Sequence, residues 1–122
     1  MVIGECCNTD IGMGTPSVPS PLMMPMGSPI MNESSVKSLF STRGKMMIAT
    51  SKPYESTWYY HDTGGFFGTN FMSTFLSNVG FTSKTTSPSW STIFKTAMNY
   101  TVQQTEAGEG GTKPQHPIYL FE

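Results

Sequence analysis

Two cysteines stand side by side at the end of a short apolar run, MVIGECCN, and they are the only ones in the 122-residue chain. A disulfide between sequence neighbours closes a strained ring, because adjacent side chains of an extended segment diverge to opposite faces. A structural zinc ion needs about four ligands, and only His61 and His116 could join the two thiols, at spacings unlike a zinc module. Two chemistries remain. Free cysteines pack as small apolar groups, and a thiol with a lowered pKa and a base nearby is a nucleophile.

Other side chains offer less. His61 lies in a polar, aromatic stretch beside Asp62, and His116 sits between Gln115 and Pro117. Ten methionines raise the question of Cu(I), which thioethers suit. Met23, Met24 and Met26 cluster, but no regular Met-x-x-Met array is present, and no acidic cluster could supply the six or more oxygens of a calcium site. The sequons at Asn32 and Asn99 have meaning only in a secreted protein. No cofactor or metal is expected.

A net charge of −1 provides no basic footprint for nucleic acid. No apolar run reaches the roughly 18 residues of a membrane helix. No basic region precedes the first apolar residues, so a signal peptide is not expected and the cytoplasm is favoured. The length suits one domain over residues 1–122.

The elements that must position the cysteines follow from pattern. Residues 1–5 read as a short buried strand. Residues 10–31 hold many prolines, glycines and methionines, and are expected as one long loop. Val36, Leu39 and Phe40 have helical spacing over residues 32–42, with Asn32 as N-cap. KMMIATS, residues 45–51, reads as an interior strand. Phe67, Phe71, Phe75, Leu76 and Val79 form the stripe of a second helix that Gly80 ends. Ser87 and Pro88 would open a third helix, with Trp90, Ile93, Phe94, Ala97 and Thr101 inward. HPIYLFE closes as a third strand, with Ile118, Leu120 and Phe121 apolar. The alternation is an α/β pattern.

In this order the residues resemble a known family. VIGECCN is similar to the nucleophile strand of the caspase-like (clan CD) cysteine peptidases, in which an apolar strand ends in Asp/Gln-x-Cys. GKMMIATSKPYESTWYYHDTGGFFGTNFMSTFL resembles the strand, substrate-facing loop and Gly-Gly-Phe-Phe helix start that follow it. SPSWSTIFKTAMNYTVQQT and QHPIYLFE resemble the last helix and the Gln-x-Pro strand. The resemblance implies a partial caspase-like three-layer sandwich of about three strands with helices packed on them, its N-terminal half missing.

It also implies roles. Cys7 takes the nucleophile position and its N–H helps hold the oxyanion, with Cys6 as spacer. Glu5, two residues earlier, would pair with Arg or Lys before the scissile bond. Ser51 would form another wall of that pocket. The family's base is a histidine in a His-Gly turn on the strand before the nucleophile, and that strand would lie upstream of Met1. The function expected is a cysteine endopeptidase acting on a peptide or protein with a basic residue before the cut. It would need a His-bearing N-terminal segment as partner, and this chain alone would be inactive and poorly stable or oligomeric. The alternative is a non-catalytic, caspase-like interaction module. The 10–31 loop stands where caspases carry their activation linker, yet it has no Lys, Arg or internal Asp after Asp10, so self-processing there is not expected.

Overall fold

The computed structural model describes residues 2–4, 31–41, 44–60, 64–80, 87–107 and 113–121. Residues 10–30 of the long loop, Glu5, Cys6, Cys7 and His61 lie outside these residues. The elements in chain order are β1 (Val2–Gly4), α1 (Glu33–Ser41), β2 (Met46–Ala49), β3 (Tyr59–Tyr60), β4 (Gly64–Gly65), α2 (Phe66–Val79), α3 (Trp90–Ala107) and β5 (Ile118–Phe121). The fold is mixed α/β.

Local chemistry accounts for the helix ends. Asn32 caps α1: its side-chain oxygen accepts the Ser35 N–H at 3.1 Å, satisfying one of the donors that a helix leaves open at its start. The third helix begins later than expected. Ser89, not Ser87, is its cap, because the Ser89 hydroxyl accepts the Thr92 N–H at 3.1 Å. Pro88 then precedes the cap instead of occupying the first helical position. Gly80 ends α2 in an extended conformation, with its N–H donated to the Leu76 carbonyl at 2.7 Å. A Cβ there would stand 2.6 Å from that same oxygen, so only glycine fits.

The main sheet has the order β1-β2-β5. β2 is the central strand, parallel to β1 and antiparallel to β5, with Ala49 opposite both Gly4 and Ile118. Tyr59 and Tyr60 pair with Gly65 and Gly64 in a separate two-residue ladder inside the stretch expected as plain loop. Gly64 has φ +91°, a conformation that side chains resist.

One core holds the three helices to β2. Leu39, Ile48, Phe67, Phe71, Val79, Ile93, Phe94 and Ala97 are buried together. Phe94 is its centre, with ring centroids 5.0 Å from Phe71 and 5.9 Å from Trp90. The indole N–H of Trp90 donates to the Leu39 carbonyl at 3.0 Å, fastening α1 to α3. Between α2 and α3 the seam turns polar: Asn70 donates to Thr101 at 3.1 Å and to Gln104 at 2.9 Å.

Two expectations about packing are corrected. Phe40 is exposed and meets the core only edge-on, its ring 5.3 Å from that of Trp90. The apolar residues of β5 divide between the two faces: the Phe121 ring lies 6.0 Å from that of Phe94 on the helix side, and Ile118 and Leu120 point the other way. Tyr119 packs against the core, while Ile118 and Leu120 are exposed beside Met47, which is 69% exposed. The period-2 alternation of a strand explains this, since Tyr119 is opposite the buried Ile48 and Leu120 is opposite Met47. The described helices therefore cover one face of the sheet, and the Met47 face is open among the described residues.

Candidate functional site

Strand directions decide which residues meet. Because β1 and β2 are parallel and in register, both reach their carboxyl ends at the Gly4–Ala49 pair. Because β5 is antiparallel, it begins at that same end, with Ile118 opposite Ala49. Thr50 and Ser51 continue β2 beyond the sheet, and residues 113–117 enter from above β5.

The loop after β2 opens with a tight turn over residues 52–55, closed by the Glu55 N–H donating to the Lys52 carbonyl at 3.1 Å. Pro53 occupies the second position, where its fixed φ suits the turn. Tyr54 takes the third with φ 68°, the single non-glycine residue of positive φ among the described residues. Its side chain is fully exposed, so no packing within the described residues compensates the strain.

Buried polar groups fasten this loop from below. The Thr57 hydroxyl lies 3.2 Å from that of Ser51 and 3.4 Å from that of Thr50. Gln115 is fully buried. Its oxygen accepts the Trp58 N–H at 2.9 Å, and its nitrogen donates to the Thr50 carbonyl at 2.7 Å. Its backbone N–H donates to the Thr105 hydroxyl of α3 at 3.0 Å. The indole of Trp58 adds a bond to the Lys113 carbonyl at 2.8 Å. One side chain thus joins the end of β2, the loop after it and α3.

Above Gln115 sits an acid–imidazole pair. One Glu55 carboxylate oxygen accepts the backbone N–H groups of His116 at 2.8 Å and Lys52 at 3.2 Å. The other lies 2.8 Å from Nδ1 of His116. Partial burial opposes ionisation of Glu55, but the bonds from His116 and Lys52, with the charge of the imidazole, outweigh it. The carboxyl is held below its ordinary range. A proton on Nδ1 is placed to be donated to the carboxylate. The pair is half-buried, 32% exposed at His116 and 21% at Glu55.

Of the candidate residues, Ser51 is thus at the carboxyl end of the sheet and tied to Thr57. Glu5, Cys7 and His61 lie outside the described residues. Sequence reasoning missed Glu55 and the role of Gln115, and it assigned no role to His116. The signal available was Gln115-His116-Pro117. A proline holds the residue before it extended, which aims the His116 N–H and ring across at the loop. Among the described residues, no three His, Cys, Asp or Glu side chains converge on a metal position, and no helix is long and apolar enough to cross a membrane. Comparison with protein-family models, curated proteins and solved structures finds no match to this chain.

Proposed function

We propose that this chain is part of a caspase-like cysteine endopeptidase that cuts after Arg or Lys, with Cys7 as nucleophile. The observation that carries the reading is the strand arrangement. Gly4 ends β1 at the same end of the sheet as Ser51 and residues 113–117, and Glu5-Cys6-Cys7 are the next residues in the sequence. An apolar strand delivering a thiol to the carboxyl end of a parallel pair, among loops, is what a nucleophile requires.

In this reading the Cys7 thiolate attacks the scissile carbonyl and the oxyanion is held by backbone N–H. The leaving amine takes a proton from the base, and water then hydrolyses the acyl-enzyme. Glu5 pairs with the basic side chain before the cut, and Ser51 forms part of the pocket wall. The base and the helices over the Met47 face would come from a His-bearing segment acting as partner, completing the three-layer sandwich.

Labelling with a peptidyl-arginine chloromethyl ketone, carried out with the His-bearing segment present, tests the proposal. A mass increase at Cys7, absent with the aspartyl analogue and absent in Cys7→Ser, supports it. Equal labelling of Cys6 and Cys7 by both reagents, at the rate of a free thiol, overturns it.

The second reading is a non-catalytic caspase-like interaction module. The exposed Met47, Ile118 and Leu120 favour it, because a contiguous apolar sheet face is a surface on which proteins bind.

A further inference from the structure

Two segments far apart in sequence, residues 50–58 and 113–117, are closed against each other at two levels. Below, the fully buried Gln115 makes the join. Above, at the half-buried rim, the Glu55 carboxylate makes it, with the exposed bond from the Trp58 indole to the Lys113 carbonyl beside it. The three acceptor bonds of Glu55 take one donor from its own loop, Lys52 N–H, and two from the facing segment, the His116 N–H and ring. The turn that aims Glu55 is the one whose third residue, Tyr54, keeps φ at 68° with its side chain in solvent. Strain of this kind persists only where the surroundings hold it, and the bonds that hold this turn closed converge on Glu55. Two residues further on, Thr57 carries the Ser51 hydroxyl at 3.2 Å.

We propose that Glu55 is a positioning residue. Through His116 it clamps the 52–58 loop to the segment entering β5, and through Thr57 it fixes Ser51 as a wall of the site. The function of that wall rests on the peptidase reading; the clamp itself does not. Glutamine at position 55 keeps one oxygen for the His116 N–H, but presents an NH2 group where the second oxygen received the imidazole. Protonation of the carboxylate removes an acceptor in the same way. Glu55 faces His116 directly. The other ionisable side chains of the two segments are Lys52, Tyr54 and Lys113, and α3, packed against Gln115 through Thr105, carries Lys95, Tyr100 and Glu106. No ion pair or side-chain bond links any of these to Glu55 or His116 among the described residues.

The test is site-resolved amide hydrogen exchange on the full chain, comparing wild type with Glu55→Gln and Glu55→Ala. At neutral pH both variants should raise exchange at the Lys52 and His116 amides at least tenfold, with the amides of α2 and α3 unchanged. On acidification below the ordinary carboxylate range, wild type should approach the Glu55→Gln rates after correction for intrinsic exchange, while Glu55→Gln stays flat. Faster exchange spread equally over α2 and α3 would mean general destabilisation and would overturn the proposal, as would no change at the two amides. The exchange test reads the Lys52 and His116 amides directly and needs no reaction at Cys7, so the clamp and the peptidase reading can fail separately.

Discussion

Gln115 and Trp58, 57 positions apart in the chain, are joined at 2.9 Å by a bond from the Trp58 backbone N–H to the Gln115 side chain. The same amide satisfies the Thr50 carbonyl, and the whole group is buried. Removing the amide leaves a buried donor and a buried acceptor without partners, each costing about 1–3 kcal/mol. Gln115→Ala should therefore lower stability by about 2–4 kcal/mol, measured by urea unfolding. Gln115→Glu should be no better, since it loses the donor to Thr50 and buries a charge.

Glu55 has a folded-state pKa below its unfolded value, so its ionised form stabilises the fold. That contribution is present in full above the ordinary carboxylate range and is lost as pH falls through the lowered value. The stability difference between wild type and Glu55→Gln should thus shrink towards zero as pH falls through the carboxylate range and below it. Urea midpoints across that range check the sign; a difference that grew on acidification would contradict it.

The proposed chemistry makes a separate demand on residues 5 and 7. In the domain completed by its His-bearing segment, Cys7→Ser should abolish cleavage of arginyl and lysyl peptides. Glu5→Gln should lower kcat/KM for those peptides on the order of tenfold or more, because the substrate cation would lose its partner. Neutral peptides should be affected far less. A pair of kcat/KM values, charged against neutral, decides this.

The two faces of the sheet should respond oppositely to mutation. Phe94 stands among Phe71, Trp90 and Tyr119, and Phe94→Ala should cost about 3–5 kcal/mol. Met47→Lys, on the open face, should change stability by less than about 0.5 kcal/mol. It should reduce self-association of the chain, seen by sedimentation, because a lysine on an exposed sheet discourages pairing.

Much of this architecture was legible in the residues. The Phe67–Phe71 stripe, the Asn32 cap and the Gly80 stop each follow from local rules, and local rules suffice where a helix packs by one face. The Ser89 cap was missed because two serines flank Pro88, and only the fitted hydroxyl decides between them. The open face of β5 was missed for a different reason. Ile118 and Leu120 are as apolar as core residues, and alternation with Tyr119 and Phe121 could assign either set inward. The site was legible least of all. The partners Glu55 and His116 lie 61 positions apart, and no spacing rule reaches across that distance. Ser51 was found because it ends a strand.

The parallel pairing of β1 with β2 also sets the order of assembly. Val2 meets Met47 only after the intervening chain exists, and β2 finds its other neighbour only when Phe121 arrives opposite Met46. During vectorial synthesis the α2–α3 pair can form first, since the two helices are neighbours in sequence. Of the three strands of this sheet, the one made first is then among the last to gain a stable place, and until then it is open to chaperones.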